Sequence, residues 1–396
     1  MGQLWSSAVL CPGQGRAEAP LMDVPFLTWK GEPMLTTYHL LWTMRVETPL
    51  ELDASPGTAL RGALFSAIWR RFCMNKQART CLECQLLQVC PVSALLAPAD
   101  DLRAPTLQRL NGQPWGRDIP RPYVLEPPLE VGRRYEPGEQ LVFGMTLIGR
   151  RVELLPYVML SSQELERQGL GRPLPENGSP PRRGEFRIEQ IEAYHPFSGE
   201  RQQLYRAGER QVTTPTLAVR AEDVRQRALA LSEQRVTLAF LTPLRLVRHG
   251  TLCKEPDFAT LVQRLLERLE QLGQAYGDAE EARALAAQRG RLLALAATVR
   301  CEKHTTRWQD MPSYSRRLRR ATPIGGLVGQ ATFVGELAGL RELLVWGELV
   351  HVGKDVVKGD GWYRVSSSVK GDSLPTACFP WLQSHAHASF SWGYDG

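Results

Sequence analysis

The sequence lacks several patterns that would assign a function directly. No run of about 18 apolar residues could form a membrane-spanning helix, and residues 1–20 lack the basic start and long apolar run of a signal peptide. The chain has no Gly-x4-Gly-Lys-Ser/Thr loop and no dinucleotide-binding glycine fingerprint. We therefore expect a cytoplasmic protein without a membrane segment, and nothing favours a nucleotide hydrolase.

The composition is that of a folded protein with a mildly basic surface. The 396 residues are 43% hydrophobic and 23% charged, enough for two or three domains with sizeable cores. The 48 Lys and Arg residues exceed the 42 Asp and Glu residues, giving a net charge of +6. Because arginines cluster locally, a polyanionic partner is plausible.

Cysteine is sparse, yet half of the eight cysteines fall within one short stretch. The other four, at positions 11, 253, 301 and 378, are scattered. In a reducing cytosol such clustering favours metal ligation over disulfides. We expect a structural zinc ion, with an iron–sulfur cluster or buried free thiols as alternatives. The predicted ligands are Cys73, Cys81, Cys84 and Cys90.

Periodicity in the N-terminal half predicts a sheet with inserted helices. After an irregular leader (residues 1–34), a strand is expected over Tyr38–Val46, and a helix begins after Ser55. Strands separated by short turns follow between residues 121 and 194, interrupted by a helix over 154–169 and an exposed loop over 171–184. This domain is assigned to residues 35–230, with a cysteine lobe at 73–98 inserted in it.

A second α/β half is assigned to residues 231–365, followed by a tail of unknown role (366–396). Strands are expected over 236–246, 326–333 and 343–352. Asp257 should cap a helix, and a second helix should run to about residue 300. The alternation predicts an α+β fold of two ferredoxin-like units.

One arginine-rich segment suggests nucleic acid. Arg307-Trp308 and Tyr314 accompany Arg316, Arg317, Arg319 and Arg320, with no acidic residue between positions 312 and 335. Guanidinium groups bind phosphates, and aromatic rings stack on unpaired bases. A solvated helix face with ion pairs is the alternative.

A glycine-rich segment follows, from His351 to Tyr363. Gly353, Gly359 and Gly361 would let the backbone approach a phosphate, and Lys354 and Lys358 add positive charge. By itself this pattern fits an ordinary hairpin equally well.

Several blocks taken in order resemble one family. The chain is similar to the CRISPR-associated endoribonucleases that cut precursor CRISPR RNA within its repeats, the sixth Cas family of the RAMP superfamily, in its cysteine-containing branch. The similar blocks are residues 56–63, the cysteine stretch, 121–128, 135–139, 154–157, 169–171, 242–244, 314–317, 323–329 and 351–363.

The resemblance implies two tandem ferredoxin-like (RAMP/RRM-like) domains and metal-independent cleavage by attack of the RNA 2′-hydroxyl. It also implies CRISPR repeat RNA and other Cas subunits as partners. The expected RNA-binding residues are Arg61, Arg307, Tyr314, Arg316, Arg317, Arg319, Arg320, Gly353, Lys358, Gly359 and Gly361.

The chain departs from the family where a catalytic histidine is common. Ser66 stands in the first helix at that place, and a serine cannot act as a base near pH 7. His39 and His351 are therefore the candidate bases, with Lys354 offsetting phosphate charge, although structural roles for both imidazoles are equally compatible. His195, His249 and His304 have no flanking constellation.

Two alternatives to an RNA-cutting enzyme remain. Ser66 favours a non-catalytic subunit that binds CRISPR RNA within an effector complex. A cysteine-cluster module that binds DNA is a third, less favoured hypothesis.

Overall fold

The computed structural model describes residues 35–99, 119–176, 179–209, 211–315 and 320–367. None of the helices in these ranges is long and apolar enough to cross a membrane. The α-helices are α1 (Pro56–Phe72), α2 (Pro91–Leu96), α3 (Leu155–Leu160), α4 (Ser162–Gln168), α5 (Ala221–Leu229), α6 (Phe258–Tyr276), α7 (Ala279–Ala287), α8 (Arg289–Thr298) and α9 (Arg341–Val350).

The strands of the N-terminal half are β1 (Thr37–Val46), β2 (Leu50–Glu51), β3 (Tyr123–Glu126), β4 (Arg134–Tyr135), β5 (Gln140–Ile148), β6 (Leu170–Glu176), β7 (Ser179–Gly184), β8 (Phe186–Tyr194) and β9 (Arg201–Arg206). Those of the C-terminal half are β10 (Arg235–Leu244), β11 (Val247–Arg248), β12 (Thr251–Leu252), β13 (Arg300–His304), β14 (Arg307–Gln309), β15 (Pro312–Ser315), β16 (Arg320–Pro323), β17 (Gly326–Val334) and β18 (Tyr363–Ser366).

The two main sheets repeat one strand order. The N-terminal sheet runs β3-β5-β1-β8-β9, and the C-terminal sheet runs β13-β17-β10-β18, with β14 also paired to β17. In each sheet the first strand lies between the third and fourth strands of a βαββαβ unit, with antiparallel neighbours. This arrangement confirms the predicted α+β class with two ferredoxin-like units.

Alternation along β1 gives the N-terminal sheet two different faces. Leu40, Trp42 and Met44 point into a core shared with α1 and α4, and this core is closed by Leu60, Ile68 and Leu165. The intervening residues, His39 and Leu41, point to the opposite face. The C-terminal core likewise packs α6 and α9 on one face of its sheet.

Most predicted elements occur where periodicity placed them. Strand β1 covers the predicted range Tyr38–Val46, and helix α1 begins at Pro56, directly after Ser55, as predicted. Asp257 caps α6 by accepting a hydrogen bond from the Thr260 backbone N–H. The Ala/Leu/Arg-rich stretch forms two helices, α7 and α8, rather than one.

Two local predictions are wrong. The apolar run predicted as a strand over 343–352 forms α9, in which every residue is buried. A fully buried helix and a fully buried strand both give a continuous apolar run. The segment predicted as a loop over 171–184 forms the β6–β7 hairpin, whose irregular register accommodates its prolines.

Candidate functional site

The two halves meet across the second face of the N-terminal sheet. Trp362, just before β18, is fully buried and packs with Leu41 of β1 and Tyr194 of β8. Its backbone carbonyl accepts a hydrogen bond from the Leu241 N–H on β10 at 2.9 Å. The sheet face beside His39 is therefore covered by the C-terminal half, and this contact is called the seam.

His39 belongs to a buried hydrogen-bond network in the seam. Its Nδ1 lies 2.8 Å from Thr146 Oγ1, and its Nε2 lies 3.0 Å from Thr37 Oγ1. The Thr146 hydroxyl donates to Glu126 Oε1 at 3.0 Å, and the Tyr194 hydroxyl donates to Glu126 Oε2 at 2.8 Å. Since the Thr146 proton goes to Glu126, Nδ1 carries the imidazole proton and Nε2 accepts from Thr37.

This network makes His39 a structural residue in the described arrangement. Burial lowers the pKa of its imidazole, although the hydrogen bond and charge of Glu126 oppose that shift. The side chain is fully buried and both ring nitrogens are engaged. A substrate therefore cannot reach the imidazole unless the seam opens.

His351, the second candidate base, is also fully buried. It follows α9 with a φ of 58°, and its ring stacks on Trp362 at a centroid distance of 5.8 Å. Burial holds the pKa of His351 well below its usual value, and the nearby charge of Arg268 lowers it further. The structure thus brings both predicted histidines into the seam, where burial lowers the pKa of each imidazole.

The glycines near His351 serve close packing between the halves. A Cβ on Gly359 would lie 2.4 Å from Pro127 Cδ, and a Cβ on Gly57 of α1 would lie 1.6 Å from the Lys358 carbonyl oxygen. The amides of Gly359 and Gly361 donate to carbonyls within the protein, at 3.0 Å in both cases. These two amides consequently do not point toward an external phosphate.

The charged residues of the glycine segment (residues 351–361) differ in availability. Lys354 is exposed, whereas Lys358 forms an ion pair with Asp355 at 2.7 Å. Asp360 is 5% exposed, and burial together with the charge of Asp355 raises its pKa to about 8. Lys354 is thus the segment's cation best placed to meet a phosphate.

Two residues of the predicted arginine-rich surface lie on the hairpin formed by β15 and β16. Arg307 is exposed on β14, and the paired strands β15 and β16 carry Tyr314 and Arg320. Arg316, Arg317 and Arg319 lie outside the described residues. Arg61 lies elsewhere, half-buried on α1 with its guanidinium 5.3 Å from the Phe65 ring centre.

Sequence patterns missed an open groove on the N-terminal sheet, beyond the covered part of its second face. The groove encloses about 560 Å³, and its floor combines apolar and amide side chains between acidic and basic ones. It is lined by Leu41, Thr43, Gln140, Val142, Glu189, Gln190, Glu192, Arg201, Arg206 and Ala207. The alternation of β1 and β8 was the only available signal for it.

The cysteines follow α1 on one connecting loop. Cys73, Cys81, Cys84 and Cys90 are half-buried free thiols. Across the described parts of the chain, no three His, Cys, Asp or Glu side chains lie close enough together to share a metal ion. The predicted metal site is therefore not assembled in the arrangement described.

A family model matches much of the C-terminal half. Residues 238–363 match the model described as CRISPR-associated endoribonuclease Cas6. Over these residues the chain is similar to that family. A second family model, described only as an N-terminal domain, matches residues 35–217. The Cas6 match covers β10 through Tyr363 and so includes the glycine segment and Trp362.

Solved Cas6 structures are similar to this chain at low sequence identity and with TM-scores below 0.5. A partial Cas6-RT-Cas1–Cas2 complex is 13% identical with a TM-score of 0.49, over 85% of this chain and 47% of that chain. Thermus thermophilus Cas6 is 13% identical with a TM-score of 0.45, over 85% of this chain and 100% of that chain. The chain thus spans about half the length of the first of these two relatives. No curated protein sequence matches it.

Proposed function

We propose that this chain binds CRISPR repeat RNA and cuts it as an endoribonuclease. The observation that carries the proposal is the match of residues 238–363 to the Cas6 endoribonuclease family. The exposed Arg307, the exposed Lys354 and the arginine-rich hairpin supply positive charge on the same half of the chain. Phosphate contacts of this kind position RNA without reading its sequence.

The proposed chemistry needs no metal ion. The RNA 2′-oxygen attacks the adjacent phosphorus, the bond to the 5′-oxygen breaks, and the products carry a 2′,3′-cyclic phosphate and a 5′-hydroxyl. A base must accept the 2′-proton, an acid must protonate the leaving oxygen, and cations must offset the charge of the phosphorane. Lys354 fits the last of these roles because its side chain is exposed.

The base is the part of the mechanism that the geometry favours least. His39 and His351 act as proposed only if the seam opens, because neither imidazole is exposed. When the seam is closed, the two histidines position the two halves instead. Replacing His39 by Gln distinguishes the two roles. If His39 is the base, the variant does not cut the RNA. If His39 only positions the two halves, the variant still cuts, and its cleavage rate depends on pH as that of the unaltered protein does.

The decisive assay uses labelled repeat RNA in EDTA, beside the same RNA with a 2′-deoxy nucleotide at the cut. We expect cutting of the first RNA and none of the second. Cutting that requires added metal, or that survives the 2′-deoxy change, contradicts the mechanism.

A non-catalytic CRISPR RNA-binding subunit is the second candidate, favoured by Ser66 and by the burial of both histidines. In that case the purified chain binds repeat RNA tightly but does not turn it over. Association with other Cas subunits, as in the Cas6-RT-Cas1–Cas2 complex, is then expected and is tested by co-purification. Displacement of bound repeat RNA by duplex DNA would instead support the DNA-binding hypothesis.

A further inference from the structure

The part of the cysteine lobe that joins α1 to α2, residues 73–90, has no interior of its own. No residue from Cys73 to Cys90 is fully buried, and of these 18 residues only seven are half-buried. Four of those seven are the cysteines. Aliphatic side chains point outward instead, with Met74 86% and Val89 80% exposed. The thiols therefore occupy the place that apolar side chains fill in an ordinary lobe.

The two outer cysteines are fixed by the fold. Cys73 directly follows α1, and its N–H donates to the Trp69 carbonyl at 3.0 Å. Cys90 directly precedes α2, a helix that buries Leu95 and Leu96 in the N-terminal core. The ends of the loop are thus held by packed helices.

The two inner cysteines share one tight turn. Cys81 begins a short 3-10 helix that ends at Glu83, and the Cys84 N–H donates to the Cys81 carbonyl at 3.2 Å. The Asn75 side-chain amide donates to Cys84 Sγ at 3.5 Å, which holds that sulfur toward the start of the loop. The inner pair therefore comes from one turn, and a hydrogen bond connects Cys84 to Asn75 near the start of the loop.

We propose that Cys73, Cys81, Cys84 and Cys90 bind one zinc ion through four thiolates. The ion stabilises residues 73–90 in place of buried apolar side chains. Thiolates are soft ligands, and a Cys-x2-Cys turn between two fixed cysteines suits tetrahedral coordination. Binding requires the four sulfurs to lie closer together than they do in the described arrangement. Four protein ligands leave no open position for water, so the ion is structural rather than catalytic.

The test measures metal in the untagged full-length protein, purified from zinc-supplemented cells. Elemental analysis should find about one zinc ion per chain. The double variant Cys81→Ser/Cys84→Ser should lose it, whereas Cys253→Ser and Cys301→Ser, which alter thiols outside the lobe, should retain it. Zinc retained by the double variant, or absent from the unaltered protein, overturns the proposal.

A second measurement uses the unaltered protein, so it does not depend on whether a variant folds. A zinc chelator should release the ion and make four further thiols reactive toward a thiol reagent, with no change in the control cysteines. Iron accompanied by a visible absorption band would replace zinc by an iron–sulfur cluster and overturn the proposal. Repeat-RNA cleavage is not used as a readout, so failure here leaves the proposed function untouched.

Discussion

The glycine segment and the cysteine lobe are the two most distinctive motifs of the chain, and they are packed in opposite ways. In the glycine segment, His351, Val352 and Asp360 are buried, and added Cβ atoms would strike neighbouring backbone. In the lobe, none of residues 73–90 is buried. The first motif is thus a closely packed joint between the halves, while the second is held at its two ends by α1 and α2 and buries none of its own side chains.

The largest expected effect comes from crowding this joint. Gly57→Ala places a methyl group against the Lys358 carbonyl, and we expect a loss of about 3 kcal/mol in the free energy of unfolding. Gly62 lies on the same helix with no atom within 4 Å of its added Cβ. There, alanine should stabilise by about 0.5–1 kcal/mol through helix propensity. Urea unfolding measures both, and equal midpoints would mean that the joint is loose.

The next effect is a dependence on pH. Because the pKa of Asp360 is raised to about 8 in the fold, the folded chain keeps a proton that the unfolded chain releases near its ordinary value of 3.8. Stability should therefore fall as pH rises through this window, by about 2 kcal/mol or more, relative to Asp360→Asn. If the urea midpoints of the two proteins change by the same amount from pH 5 to pH 8.5, the carboxyl group of Asp360 is not buried in its neutral form.

RNA binding should respond more modestly, and to one lysine more than to the other. Lys354→Ala should weaken repeat-RNA binding about 5- to 10-fold. It should also reduce the slope of the logarithm of the binding constant against the logarithm of the salt concentration by about one. Lys358→Ala is the matched control, because Asp355 already pairs with that ammonium group. Filter binding at several salt concentrations distinguishes them, and a larger effect at Lys358 would place the RNA elsewhere.

The smallest effect is expected at the lobe surface. Val89→Ser should change the free energy of unfolding by less than about 0.5 kcal/mol, because Val89 is 80% exposed. Thermal unfolding measures it. A loss comparable to that at Gly57 would show that the lobe is covered in solution.

Sequence patterns predicted the fold well because β1, α1, α6 and β17 each carry a clear period and a turn or cap. They failed at α9, where an apolar run buried on all sides has no period to read. The glycines were predicted to let the backbone come close to a phosphate. The atoms that come close to them belong to the protein itself. The hydrogen-bond network around His39 was not predictable from local patterns, because His39 and Thr146 are 107 positions apart and Glu126 and Tyr194 are 68 positions apart.

For the site, residue types predicted which groups matter but not their exposure. His39 and His351 both lie in the seam between the halves, yet burial removes both from solvent. Exposure depends on how the two sheets pack, and no local pattern encodes that packing.

The position of Trp362 has a consequence for synthesis on the ribosome. Leu41 and Tyr194 lie on a sheet that is complete long before Trp362 is translated. At ordinary elongation rates the interval is on the order of ten seconds. During that time the nascent chain presents an apolar sheet face with its natural cover still missing, so this step is where premature association with another chain competes with folding.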